Sequence, residues 1–62
     1  MNKQAKVTYV KALRIEKHVF EVGCEYADGT YQADAMFKDG VKAENRAKKL
    51  AKMCNCDFGM DY

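Results

Sequence analysis

Asp28-Gly29 lies between two stretches that alternate apolar and polar residues, and this arrangement narrows the fold more than any other feature. Before it, from His18 to Tyr26, Phe20, Val22, Cys24 and Tyr26 share one phase, and Glu21, Gly23 and Glu25 the other. After it, from Thr30 to Phe37, Tyr31, Ala33, Ala35 and Phe37 fall in phase. Alternation with period two marks a strand with one buried face. Asp-Gly suits a two-residue turn whose central positions both need positive φ. The expected hairpin pairs Ala27 with Thr30, Tyr26 with Tyr31, Cys24 with Ala33, Val22 with Ala35 and Phe20 with Phe37. Each inward residue then meets another, and a one-residue slip would break the whole set. Glu21, Glu25, Gln32, Asp34 and Met36 take the outer face.

Val7 to Ile15 is rich in β-branched and aromatic residues and predicts a first strand. A tight turn around Glu16-Lys17 would join it to the second. Val7, Tyr9, Leu13 and Ile15 are expected inward, which leaves Lys11 as the misfit on an edge strand, where a charge discourages edge-to-edge pairing. After Asp39, a suitable cap for free backbone N–H groups, Ala43, Ala47, Leu50, Ala51 and Cys54 recur at helical spacing. Three alanines on that face allow a close approach to a sheet. The expected fold is α+β, a three-stranded antiparallel meander with one C-terminal helix across a single face (β-β-β-α). Residues 1–62 form one small domain, with 1–6 and 57–62 as candidate flexible tails. The closing "DFGMDY" reads as a tail packed on the core or a short docking peptide.

At 62 residues the chain has little room for a deep cleft, but 48% hydrophobic content is too much for a disordered tail. No apolar run approaches the ~20 residues that span a membrane. The N-terminal stretch lacks a secretory leader pattern. An odd number of cysteines then points to reduced thiols and a cytoplasmic location. Charge alternates by segment: +4 over 1–17, −4 over 18–39, +4 over 40–53 and −2 over the remainder. Opposite polarity on helix and sheet makes a dipolar domain suited to a charged partner.

Cys24, Cys54 and Cys56 are the most chemical-looking residues. With His18 they suggest a zinc set, but His18 and Cys24 stand about 20 Å apart along one strand at ~3.3 Å per residue. A cluster of Cys24, Cys54 and Cys56, with Asp57 nearby, is the remaining metal or redox alternative. The favoured reading is packed thiols with no metal and no cofactor. His18 near Asp39 could form half of an acid–base pair, yet nothing nearby supplies a nucleophile, and the chain reads as a non-enzyme.

Two surfaces remain. Lys42, Arg46, Lys49 and Lys52, with Lys48 beside them, give the helix a basic outer side that could neutralise phosphates. "HVFEVGCEYADGTYQA" followed by "GVKAENRAKKLAKM" resembles the β-β-β-α half of a double-stranded-RNA-binding domain, in its histidine before strand two, its Phe-x-Val strand and its alanine-rich basic helix. The resemblance implies a nucleic-acid-binding module. The family's first helix has no counterpart, and Gly40-Val41 stand where its lysine pair would be. The second surface is the acidic sheet face, with Glu21, Glu25, Asp34 and Met36 as candidate protein-binding residues. In size and make-up the chain also resembles small bacteriophage accessory proteins, which implies an inhibitor acting on a host factor. The leading expectation is a non-enzymatic protein-interaction module, with nucleic-acid binding second, metal or redox chemistry third, and a homodimer through an edge strand as a further arrangement.

Overall fold

The computed structural model describes residues 6–62. Four strands and one helix follow in order: β1 (Val7–Glu16), β2 (Val19–Tyr26), β3 (Tyr31–Phe37), α1 (Gly40–Cys54) and β4 (Asp57–Asp61). They form a mixed sheet of order β3-β2-β1-β4, in which β4 runs parallel to β1. The α+β class with antiparallel β1, β2 and β3 is as expected. The three-stranded meander is corrected to four strands, because residues assigned to a tail add a parallel edge. A tail at residues 1–6 falls almost wholly outside the described residues.

The β2–β3 hairpin departs from the expected register at its turn end. Asp28 Oδ1 accepts hydrogen bonds from the Thr30 amide at 3.0 Å and its hydroxyl at 2.6 Å. The Gly29 amide donates to Tyr26 O, and Gly29 has φ of 89°. The loop is therefore three residues long, a tight turn followed by a left-handed glycine. Tyr26 faces Thr30, Glu25 pairs with Tyr31, Cys24 with Gln32 and Gly23 with Ala33. A bulge then absorbs Asp34 as an extra residue. Beyond it Val22 pairs with Ala35 and Phe20 with Phe37, as expected. The one-residue slip at the turn is cancelled by the bulge.

The first strand also corrects its expected phase. Val10 and Ala12 point into the core and are fully buried, in register with Cys24 and Val22. A bulge at Thr8 keeps Val7 against the core while placing Tyr9, Lys11 and Leu13 on the opposite face. β1 is thus a central strand, and Lys11 is no misfit. Its ammonium lies 2.8 Å from Glu25 Oε2.

The helix crosses from one sheet edge to the other. Fifteen residues extend about 22 Å, enough to pass diagonally over four strands spanning about 14 Å. Asp39 caps it, its carboxylate accepting from the Val41 amide at 2.9 Å. Ala43, Ala47, Leu50 and Ala51 are buried against Val10, Ala12, Val22 and Cys24. At the other end Asn55 takes the left-handed conformation, φ 56° and ψ 49°. Its N–H donates to Lys52 O and that of Cys56 to Ala51 O, closing the last turn in a Schellman arrangement. That turn aims the chain directly into β4. Asn55→Ala is expected to lower stability by about 1 kcal/mol, because alanine keeps the β-carbon that this conformation disfavours but lacks the short polar side chain that offsets its cost by local hydrogen bonding. Asn55→Gly should leave it within a few tenths of a kcal/mol, about as Asn and Gly both tolerate the position. Urea denaturation of the two variants checks the contrast.

The last residues are held at both ends of β4. Phe58 packs against the core beside Val10. The Tyr62 ring meets Phe20 edge-on at 4.8 Å, and its hydroxyl donates to Gly40 O at 2.9 Å. The C-terminal tyrosine thereby ties β4 to the start of the helix.

Candidate protein-docking face

Among the described residues, α1 covers one side of the sheet and leaves the other side open. Strand register sets twelve residues of that side in three rows and pairs Glu16 with Val19 beyond the third. The first holds Asp57, Tyr9, Glu25 and Tyr31. The second holds Gly59, Lys11, Gly23 and Ala33. The third holds Asp61, Leu13, Glu21 and Met36. Glycine inside a strand leaves space for another group, and both glycines of the middle row are used that way. The Tyr31 ring lies across Gly23, where a β-carbon would collide with its phenol. Its hydroxyl donates to Glu21 Oε2 at 2.8 Å. Desolvation, then the bond to Glu21, pushes the phenol's pKa well above the ordinary tyrosine value. Tyr9 likewise sets its hydroxyl over Gly59. Between them Lys11 is held charged, chiefly by its hydrogen bond to Glu25.

Of the expected protein-binding residues, Glu21, Glu25 and Met36 share this face, and Met36 is 59% exposed. Asp34 does not. As the bulge residue it turns toward the helix and accepts from Arg46 through both carboxylate oxygens, at 2.7 and 3.2 Å. Tyr9, Leu13, Tyr31, Asp57 and Asp61 join the face unannounced by the sequence reading. Gly23, alone in the middle of an alternating strand, was the available signal for one of them.

The basic helix side loses a member through the same bond. Arg46 is a tie between α1 and the β3 bulge, so it is not a free cation. Lys42, Lys49 and Lys52 are exposed, and so is Lys48, whose ammonium lies 3.7 Å from Glu44. His18 is exposed in the β1–β2 turn, while the Asp39 carboxylate serves the helix cap.

The cysteines divide between core and margin. Cys24 is buried, Cys54 and Cys56 are half-buried, and all three are free thiols. Burial pushes the Cys24 and Cys56 thiols up from their ordinary value, away from the thiolate that binds metal and attacks disulfides. Among the described residues, no three His, Cys, Asp or Glu side chains are placed to hold a metal ion together. The Cys24, Cys54 and Cys56 set is therefore not assembled as a ligand cluster.

Both sheet edges carry features that discourage open pairing. β3 is bulged at Asp34, and β4 is short and begins and ends with an aspartate. Among the described residues, no helix is long and apolar enough to cross a membrane. Comparison with protein-family models, curated proteins and solved structures finds no match.

Proposed function

We propose that this chain is a small non-enzymatic interaction module that docks on a protein partner through the open face of its sheet. In its most concrete form it is a phage-type inhibitor that binds and blocks a host enzyme or defence complex. One observation carries the docking reading: a four-stranded sheet with a helix on one side presents Tyr9, Leu13, Tyr31 and Met36 among carboxylates on the other. Aromatic, leucine and methionine anchors with a polar surround are the make-up of a protein interface. The inhibitor form rests on the resemblance in size and make-up. The non-enzymatic reading draws on the small size of the domain and on surface depressions that open broadly to solvent.

A second reading, nucleic-acid binding, draws on the exposed Lys42, Lys48, Lys49 and Lys52 of α1, a helix with one acidic residue, Glu44. A tagged pull-down with and without nuclease separates the two. Leu13→Lys with Met36→Lys should release a nuclease-resistant partner, and Lys42→Glu with Lys49→Glu should retain it. The reverse pattern, with capture lost on nuclease treatment, would move the function to the helix.

A further inference from the structure

The open face has a charge pattern that selects among partners. Within its three rows four carboxylates, Asp57, Glu25, Asp61 and Glu21, accompany one ammonium, Lys11, and Glu16 lies past the third row opposite Val19. Lys11 is itself engaged by Glu25. The carboxylates occupy the two outer rows, next to Tyr9 and Tyr31 in one and next to Leu13 and Met36 in the other. The middle row carries no carboxylate and holds the lysine.

We propose that this face recognises an extended, cationic polypeptide segment whose basic side chains fall on the two outer rows, with a neutral residue over Lys11. The inference rests on the docking reading above and names its partner by chemistry. Rows two residues apart are separated by about 6.8 Å, so the outer rows lie about 13.6 Å apart. In an extended segment that is the distance between positions i and i+4, and position i+2 falls on the middle row. At the first row an arginine can pair with Glu25 or Asp57 while its guanidinium lies against a tyrosine ring. At the third row the methylene stem can lie on Leu13 and Met36 while the charge reaches Glu21 or Asp61. A phosphate-bearing ligand meets four like charges here and is disfavoured.

The test titrates the full chain with three extended peptides alike but for charge. The first carries arginine at its third and seventh positions, the second glutamate at both, and the third adds an arginine at the fifth. The expected result is that the first shifts the amide resonances of Tyr9, Glu21, Glu25 and Tyr31 and binds more weakly as salt is raised. The second should not bind, and the third should gain nothing from its extra charge. Asp57→Asn with Asp61→Asn, at an exposed edge, should weaken binding by roughly fivefold, and Glu25→Lys by about tenfold or more. Lys49→Glu should have no effect. If Glu25→Lys unfolds the domain, the edge variant still decides.

Equal binding of the first two peptides would overturn the proposal, as would shifts confined to α1. Self-association of the chain that Glu25→Lys abolishes would overturn it in favour of a second copy. No peptide binding, together with loss of a captured partner on Leu13→Lys with Met36→Lys, would overturn the cationic class and leave the docking face intact. If that double variant also kept its partner, the docking reading itself would fall.

Discussion

Replacing Leu50 with alanine is expected to cost about 2–5 kcal/mol, the range for deleting a buried leucine side chain. Leu50 is 7% exposed and is the one large side chain that α1 sends into the core; its buried neighbours on the helix are Ala43, Ala47 and Ala51. No larger helical residue stands ready to fill the gap. A domain of this length has a stability of roughly 3–9 kcal/mol at 0.05–0.15 kcal/mol per residue, so the loss removes a large share. Urea denaturation should show the midpoint falling by about 2 M or more, given a slope near 1 kcal/mol per molar for a small protein. A shift below about 0.5 M would mean that the helix is not seated as described.

The opposite change at Ala47 should hurt by the opposite mechanism. Ala47 is fully buried in the core cluster where the helix lies against the sheet. Leucine there adds three carbons to a filled space and should cost about 1–3 kcal/mol or more through displaced neighbours. The contrast with Ala27, exposed in the hairpin loop, is the control. Leucine at position 27 should change the midpoint little, since surface substitutions usually stay within about 0.5 kcal/mol. If Ala47→Leu instead stabilised the protein, the gap between α1 and the sheet would be wider than described. Apolar area alone would then outweigh fit.

These predictions concern the part of the fold that was legible from sequence. The helix face, its Asp39 cap and the far end of the β2–β3 hairpin all follow from spacing and residue type. What was not legible has local physical causes. The turn at Asp28-Gly29 expands to three residues because the Asp28 side chain holds the Thr30 amide. Nothing in the alternation announces that the Asp34 bulge will then restore register. In β1, Val7, Tyr9, Leu13 and Ile15 form as good an apolar set as Val10 and Ala12. A bulge at Thr8 decides between them by shifting the phase. β4 is a short strand with two aspartates and a glycine, and its partner lies far back in the chain. Its parallel pairing with β1, the packing of Phe58 on the core and the contact of Tyr62 with Phe20 appear only in the assembled fold.

The candidate site was half legible for the same reasons. Glu21, Glu25 and Met36 follow from the hairpin phase and stand on the open face. Asp34 leaves it with the bulge and takes Arg46 with it, so one misplaced residue thins both expected surfaces. Tyr9, Leu13, Asp57 and Asp61 enter because β1 changed phase and β4 exists. The dipolar expectation survives in altered form. Its acidic side now includes β4, and its basic side rests on lysines alone.

The most direct test of the docking account is site-specific photo-cross-linking. A benzophenone side chain would be placed at Met36 on the open face in one variant and at Lys49 on the helix in another. Both sites are exposed, so both variants should fold as the parent does. The account predicts a discrete adduct with one protein from position 36, resistant to nuclease, and none from position 49. An adduct from position 49 alone, or one from position 36 that nuclease abolishes, would contradict it.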